Sequence, residues 1–165
     1  QFKAHEIFLP EVLLAARAMY AVIEELKPLL VKEGIPSLGK IVIGSVQGDL
    51  HDIGKNLVGI MLKGAGFEII DLGNDVAPER FVETAKKHDA SVIGLSALLT
   101  TTMPVMRKVV DLVKEQAGGK IKVIVGGAPL SEAFAGEIGA DAYGYDAANA
   151  VDQVTRLIGR RSGMR

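Results

Sequence analysis

Apolar positions along the chain fall into two kinds of stretch, short continuous runs and longer segments with a helical period. From residue 40 onward the two kinds alternate, with Gly-rich or polar residues between them. Short continuous apolar runs are typical of strands that are buried on both faces of a parallel sheet. The predicted strands are 40–46, 67–72, 91–96, 120–125 and 142–144. The predicted helices are 57–64, 78–88, 103–116, 132–138 and 147–158.

This alternation of strands and helices predicts an α/β domain built on a doubly wound parallel sheet. We expect five strands in the flavodoxin-like order 2-1-3-4-5, with helices on both faces of the sheet. In that order the chain changes direction between the first and third strands, so the loops after these two strands face each other across a crevice. Ligands of open α/β sheets bind at such a crevice, and we look for functional residues there.

The segment before the sheet has a pattern of its own. Residues 11–32 predict a helix with apolar residues on more than one face, and Pro28 predicts a kink within it. A helix that is apolar over a wide arc needs neighbours on several sides. Residues 33–39 predict a linker. We therefore expect a partial helical cap at 1–36 that packs on the α/β domain at 37–165, with further cap helices in a segment that precedes this sequence.

Composition and charge exclude several classes of function. The length of 165 residues fits one domain. The formal net charge of −1 argues against nucleic acid as the main partner, because binding phosphates requires a basic surface. The absence of cysteine excludes thiolate metal sites and cysteine nucleophiles, and it is compatible with the cytoplasm, where we expect this protein. No apolar run reaches the roughly 18 residues of a membrane span, and no signal peptide is visible.

The stretch from Gly48 to Asn56 carries the central histidine, His51, directly after the first predicted strand. Asp49 can hold the proton of one ring nitrogen and leave the other nitrogen free to bind a metal. A simpler interpretation also stays open, in which Asp49 or Asp52 caps the next helix and the glycines serve only the turn. One imidazole makes a poor metal site on its own. It suits a metal whose other ligands come from a macrocycle, as in haem.

Two further loops should reach the same crevice. Ser96 and the threonines at 100–102 follow the third strand; one hydroxyl is expected to cap the next helix, and the others suit bonds to a polar ligand or to Asp49. Gly126 and Gly127 follow the fourth strand, where they form a turn or let a ligand approach the backbone. The patterns of Walker and dinucleotide-binding loops are absent. The lysine that a receiver domain needs late in its sheet is also missing.

Three short motifs, each after a predicted strand, occur in the order Asp49-x-His51-x-x-Gly54, Ser96-x-Leu98 and Gly126-Gly127. Together they resemble the cobalamin-binding domain family. The full string from Gly48 to Asn56 is similar to the methyl-transferring branch, which includes methionine synthase and the corrinoid proteins of methanol, methylamine and aryl-methyl-ether systems. The resemblance covers roughly residues 10–158, and the N-terminal helix is similar to the last part of the helical cap in that branch.

The resemblance implies a cobalamin or related cobamide cofactor whose cobalt is bound by His51 in the lower axial position, with the cofactor's own lower base displaced. Asp49 would hydrogen-bond the other nitrogen of His51. Thr102 would complete this relay where methionine synthase has a serine, so we name Asp49, His51 and Thr102 as the catalytic residues. The cofactor-binding residues that the resemblance implies are Gly48, Asp49, Leu50, His51, Asp52, Ile53, Gly54, Ser96, Leu98, Thr100, Gly126, Gly127 and Ala128.

The same resemblance implies a corrinoid protein that carries a methyl group on cobalt between two methyltransferases. One partner would be a substrate-specific methyltransferase, and the second would pass the methyl group to tetrahydrofolate or a thiol. A reductive activator is a further expected partner. The chain would be a methyl-carrier component, because no complete catalytic domain fits within its length. Two other interpretations stay open, a cobalamin-dependent sensor domain and the small subunit of an adenosylcobalamin mutase.

Overall fold

A computed structural model of the chain describes residues 37–162, with side chains up to residue 159, and part of the segment before them. In that earlier segment the described residues are 8, 10–11, 13–15, 17–19, 21–22 and 25. All of these except Phe8 are helical, and a Cβ atom added to Gly64 would lie 3.3 Å from the Met19 side chain. The predicted kink at Pro28 and most of the predicted linker lie outside the described residues. The division into a cap and an α/β domain therefore stays a prediction.

The strands form one parallel sheet. They are β1 Lys40–Ser45, β2 Glu68–Asp71, β3 Val92–Ser96, β4 Lys122–Gly126 and β5 Ala142–Gly144. Their order is β2-β1-β3-β4-β5, and each neighbouring pair is parallel, so the predicted α/β fold and strand order are confirmed. The helices are α1 Ile53–Gly64, α2 Pro78–Lys87, α3 Met103–Ala117, α4 Glu132–Ile138 and α5 Ala147–Ser162.

Helices cover both faces of the sheet. Successive side chains of a strand point to opposite faces, so neighbouring residues of β1 pack against different helices. Ile41 and Ile43 pack into a core cluster with residues of α1 and α5. Val42 packs on the other face, in a cluster that includes Phe81 of α2 and Val109 of α3. Strands buried in this way need apolar residues at almost every position, which explains the continuous apolar runs.

Several boundaries differ from the predicted ones. Helix α1 begins at Ile53, earlier than the predicted residue 57, because the Asn56 N–H already donates to the Asp52 carbonyl at 2.8 Å. Strand β4 begins at Lys122 and not at 120, since the Lys120 N–H closes a turn with Ala117. Helix α5 extends beyond the predicted residue 158. None of the helices in the described part of the chain has both the length and the apolar character to cross a bilayer.

Candidate functional site

The loop between β1 and α1 brings His51 to the carboxyl edge of the sheet. Its first residue, Val46, pairs with Val76 from the loop after β2, which anchors the two loops side by side. Gly48 has a φ of +85°, a left-handed conformation that side chains rarely adopt. A Cβ atom at Gly48 would also lie 3.4 Å from the methyl group of Thr102, so the loop after β3 packs directly against this turn.

His51 is held by the carboxylate of Asp49. The His51 Nδ1 atom lies 2.8 Å from Asp49 Oδ1, and the His51 backbone N–H donates to the same oxygen at 3.0 Å. Asp49 is completely buried, whereas the imidazole is half-exposed. Because Nδ1 is occupied by the carboxylate, Nε2 is the nitrogen that is available to a metal. The predicted pairing of these two side chains is thus present in the structure.

The second oxygen of Asp49 collects donors from the loop after β3. Asp49 Oδ2 accepts hydrogen bonds from the Thr102 hydroxyl at 2.9 Å, from the Leu98 N–H at 2.8 Å and from the Leu99 N–H at 3.2 Å. One buried carboxylate therefore joins the loops that follow β1 and β3 across the crevice. This is where the strand order predicted that the two loops would meet.

These donors decide the charge of Asp49. Burial raises the pKa of the Asp49 carboxyl, but hydrogen bonds outweigh it: those from the Leu98 and His51 backbone, then those from the His51 ring and the Thr102 hydroxyl. Together they hold the pKa of Asp49 well below its usual range, so the group is ionised at neutral pH. A carboxylate in this position keeps the proton on Nδ1 and makes Nε2 a stronger ligand.

The capping interpretations are wrong for these side chains. Asp52 and Thr102 stand at the N-cap positions of α1 and α3, and neither makes a side-chain capping bond. The Asp49 carboxylate is committed to His51 and to the loop after β3. The buried Thr102 hydroxyl lies 2.9 Å from Asp49 Oδ2 and 2.8 Å from the Leu99 carbonyl, so it serves the network and leaves the helix end uncapped.

Large apolar side chains surround this polar network at the surface. The exposed fractions are 69% for Leu50, 75% for Ile53, 44% for Leu98 and 41% for Leu99. Leu98 and Leu99 are also the residues whose backbone N–H groups bind Asp49. An exposed apolar surface that borders buried polar groups marks a ligand or partner site. The sequence predicted three of these residues and missed Leu99.

A cavity of about 370 Å³ opens beside the network, between the sheet and helices α1 and α5. Predicted cofactor-binding residues in its lining are Gly54, Ser96, Gly126, Gly127 and Ala128. Much of the remaining wall is aliphatic, with Ile43, Val58, Leu62, Ile124 and Val154 among the lining residues. Leu98 and Thr100 are not in the lining and are exposed. The cavity can therefore take an apolar group of moderate size.

The glycines at the end of β4 have a structural reason to be glycine. Gly127 has a φ of +138°, and a Cβ atom there would lie 1.9 Å from the Ala97 carbonyl oxygen. A Cβ atom at Gly126 would lie 3.0 Å from the Gly144 carbonyl oxygen. Close approach of neighbouring backbones thus suffices to explain both residues. Ligand contact is a second role that the cavity allows.

Lys55 is a buried cation in the wall of the cavity. Its ammonium group donates to both carboxylate oxygens of Asp71, at 2.6 and 2.7 Å, and to Asn56 Oδ1 at 2.7 Å. These three bonds use all of its N–H donors. Lys55 therefore ties the first turn of α1 to the end of β2 and has no donor left for a ligand in this arrangement.

Two residues that the sequence did not single out also hold the His51 loop. The Ser45 hydroxyl donates to the His51 carbonyl at 2.6 Å, and Asp75 Oδ1 accepts from the Gly48 N–H at 2.7 Å. Ser45 lies within an apolar run and Asp75 lies in the loop after β2. The predicted strand order places the loops after β1 and β2 side by side, and this was the available signal for Asp75.

Comparison with known proteins identifies relatives of this chain. A family model described as the B12 binding domain matches residues 39–152, which include every predicted cofactor-binding residue. Dimethylamine corrinoid protein 3 of Methanosarcina mazei is 47% identical over 160 residues, 96% of this chain and 96% of that protein. The monomethylamine corrinoid protein of Methanosarcina barkeri is 39% identical with a TM-score of 0.69, covering 94% of this chain and 74% of that one. The methanol:cobalamin methyltransferase complex MtaBC of Methanosarcina barkeri contains a chain that is 33% identical with a TM-score of 0.86, covering 96% of this chain and 60% of that one.

Proposed function

The chain belongs to the B12-binding domain family, and we propose that it is the component of a methyltransferase system that carries a methyl group between two enzymes. Family membership and a cobamide cofactor are as the sequence predicted. When bound, the cobamide supplies a cobalt centre that accepts a methyl group from one partner and releases it to another. The roles below are those of the chain's own residues.

The observation that carries the proposal is the fixed imidazole of His51. Its Nδ1 is 2.8 Å from the buried Asp49 carboxylate, and its half-exposed ring leaves Nε2 as the nitrogen that would hold the cobalt of a bound cobamide. Within the described ranges, no group of three or more His, Cys, Asp or Glu residues is arranged to hold a metal ion. A single imidazole therefore fits a metal whose other ligands belong to a macrocycle.

The surroundings of His51 fit the rest of a cobamide. Leu50, Ile53, Leu98 and Leu99 present an exposed apolar surface against which the corrin ring can lie. The cavity beside them, about 370 Å³ in volume with an aliphatic wall, can take the displaced lower base and part of its nucleotide tail. We propose that Ser96 and the segment 126–128 line the path of that tail.

Asp49 and Thr102 would tune the strength of the His51 ligand. An imidazole that donates its other N–H to a carboxylate is a better metal ligand, and a protonated imidazole cannot bind a metal at all. The Thr102 hydroxyl has one proton and two acceptors in reach, Asp49 Oδ2 and the Leu99 carbonyl. Its proton can therefore stabilise the charge on Asp49 or turn away from it. We propose that the three side chains act as one relay beneath cobalt.

The relatives indicate the class of partner. We propose a methyl donor among the methylamines, because similar proteins are named for dimethylamine and monomethylamine. The methanol:cobalamin methyltransferase complex MtaBC, which contains a similar chain, supports direct docking of a substrate-specific methyltransferase. A second methyltransferase with tetrahydrofolate or a thiol as acceptor, and a reductive activator, complete the proposed system. The N-terminal helix would belong to a cap that moves aside when a partner approaches.

The test is a transfer assay with a labelled methyl group. The chain is loaded with hydroxocobalamin, reduced, and mixed with a methylamine:corrinoid methyltransferase and [14C]dimethylamine or [14C]monomethylamine. We expect label to stay with the wild-type protein and with a His88→Ala control, whose histidine is exposed on the C-cap of α2, and to fall strongly in His51→Ala. A loaded and reduced wild-type chain that takes no label from these donors or from [14C]methanol with its methyltransferase would contradict the carrier role.

A further inference from the structure

We infer that Ser45 and Asp75 are positioning residues that fix the backbone of the His51 loop before any cofactor binds. This inference rests on the proposed role of His51 as the axial ligand, and it concerns residues that do not touch the imidazole in the structure. Ser45 holds the loop from the end of β1, and Asp75 holds it from the loop after β2.

Ser45 supports the far end of the loop. It is completely buried, and its hydroxyl donates to the His51 backbone carbonyl at 2.6 Å. Its own backbone is fixed in turn, because the Ser45 N–H donates to the Gly73 carbonyl at 3.0 Å and the Ser45 carbonyl accepts from the Val76 N–H at 3.0 Å. The peptide of His51 is therefore attached to a strand end that cannot easily shift.

Asp75 supports the near end of the loop with two bonds in opposite directions. Its Oδ1 atom accepts from the Gly48 N–H at 2.7 Å, and its own N–H donates to the Asp49 carbonyl at 3.0 Å. Asp75 also has a φ of +53°, a left-handed conformation that few residues other than glycine, Asn and Asp adopt. Asp75 tolerates this conformation, and its two bonds to one turn hold the His51 loop and the loop after β2 together.

Other contacts complete the fixation of the loop. The Asp49 N–H donates to the Val46 carbonyl at 3.0 Å, and the Asn74 side chain reaches the Leu50 carbonyl at 3.4 Å. From Gly48 to His51, backbone groups with a bonding partner thus occur at each residue. Such fixation suits a metal ligand, because the ligand has to be held within about 0.5 Å of its productive position.

The physical consequence is a preorganised ligand. A loop that is already ordered loses little conformational entropy when its imidazole binds cobalt, so more of the bond energy remains as affinity. If Ser45 or Asp75 lost its contact, the Asp49–His51 pair would survive, but its distance from the corrin surface would vary. The fraction of bound cobamide with His51 on cobalt would fall, while uptake of the cobamide into the apolar surface and cavity would change little.

The variants separate the hydrogen bond from backbone strain. Asp75→Gly removes the acceptor and still adopts a positive φ freely, whereas Asp75→Asn keeps an acceptor oxygen and tolerates that φ. Ser45→Ala removes the hydroxyl that donates to the His51 carbonyl. Two matched controls lie away from the His51 loop. Asp141→Ala loses the 2.8 Å hydrogen bond that Asp141 accepts from the Val123 N–H, and Ser131→Ala loses the N-cap of α4.

Two readouts are measured on the full chain. In the cofactor-free protein, amide hydrogen exchange at Gly48 should quicken at least about 10-fold in Asp75→Gly, because the Gly48 N–H loses its acceptor. Exchange at His51, whose N–H donates to Asp49 Oδ1, should quicken in Ser45→Ala, because a loop released at the His51 carbonyl opens more often. In the protein loaded with methylcobalamin, the ratio of histidine-ligated to unligated cobamide in the visible spectrum should fall about 10-fold in both variants. Asp75→Asn should restore both readouts, and both controls should match wild type.

The outcomes are distinct. The inference is overturned if Asp75→Gly and Ser45→Ala match the two controls both in exchange rates and in the ratio of histidine-ligated to unligated cobamide. If Asp75→Gly does not fold, Ser45→Ala decides by the same criteria. A wild-type protein that binds methylcobalamin without histidine ligation would remove the proposed role of His51. The exchange rates would then still decide whether Ser45 and Asp75 fix the loop.

Discussion

The two sides of the crevice at the carboxyl edge of the sheet are built in opposite ways. The His51 loop is polar, has hydrogen-bonded backbone groups at each residue from Gly48 to His51 and contains a buried ionised carboxylate. The cavity between the sheet and helices α1 and α5 is lined largely by aliphatic side chains and glycines. A metal ligand requires a fixed direction, whereas an apolar group requires only volume and a dry wall.

This contrast predicts different responses to mutation. On the side of the loop, the loss of single polar atoms should weaken histidine ligation while the fold remains intact. On the side of the cavity, added volume should disturb the backbone, because the glycines there keep neighbouring strand ends in contact.

The largest effect is expected for Gly127→Ala. The new Cβ atom would lie 1.9 Å from the Ala97 carbonyl oxygen, and the φ of +138° is unfavourable for alanine. We expect the free energy of unfolding to fall by about 3 kcal/mol or more, measured by denaturant titration. Gly73→Ala is the control, because its φ is +83° with no atom within 4 Å, and it should cost about 1 kcal/mol. Equal losses in the two variants would contradict the role of backbone approach at Gly127.

The next effect is expected for Asp49→Asn, which keeps the shape of the side chain and removes its charge. The His51 Nδ1–H then loses its carboxylate acceptor, so Nε2 becomes a weaker ligand. We expect a fall of about 10- to 100-fold in the equilibrium constant for histidine ligation, read from the visible spectrum of bound methylcobalamin. Asp111→Asn is the control, since Asp111 is exposed on α3. A spectrum equal to wild type across the pH range would contradict the relay.

Substitutions at Thr102 should have a smaller effect that depends on the hydroxyl. Thr102→Val keeps the volume and removes one donor from Asp49 Oδ2, so we expect a loss of about 1–2 kcal/mol in stability together with weaker ligation. Thr102→Ser keeps the donor and removes a methyl group near Gly48, so we expect less than about 1 kcal/mol and unchanged ligation. Weaker ligation in the serine variant alone would mean that packing, and not the hydroxyl, is what matters.

The smallest effect is expected in the pH dependence of the free energy of unfolding, to which Asp49 contributes in the acid range. Its folded-state pKa is below the ordinary value, so the unfolded chain binds the proton more readily. The contribution of Asp49 is complete above the unfolded pKa of about 3.9 and is lost as the pH falls toward the folded pKa. Between about pH 5 and pH 3, unfolding titrations should show a steeper loss for wild type than for Asp49→Asn. Parallel curves would contradict the lowered pKa.

The sheet could be predicted because the same pattern, an apolar run followed by glycine or polar residues, recurs along the chain. A parallel strand covered by helices on both faces must be apolar throughout, as in 41–43, and glycines or polar residues must interrupt these runs. The boundaries were harder to predict. Ile53 is apolar and exposed, so no burial pattern marked the start of α1, and Asp52 stands at its N-cap without a side-chain capping bond.

The site could be predicted only in part, because some of its residues act through backbone atoms. His51, Asp49 and Thr102 carry side chains whose chemistry is recognisable, and the structure brings them together. Ser45 and Asp75 bind the backbone of the loop, a role that many residue types can fill and that leaves no pattern in the sequence. The strand order places the loop after β2 beside the His51 loop, and this was the signal that could have pointed to Asp75.

The most direct test of the central claim, that His51 is the axial ligand of a bound cobamide, is the visible spectrum of the chain loaded with methylcobalamin. We expect a histidine-ligated spectrum for wild type and for His88→Ala, and an unligated spectrum with the cofactor still bound for His51→Ala. A spectrum that His51→Ala leaves unchanged would contradict the claim, and so would a wild-type protein that takes up no cobamide.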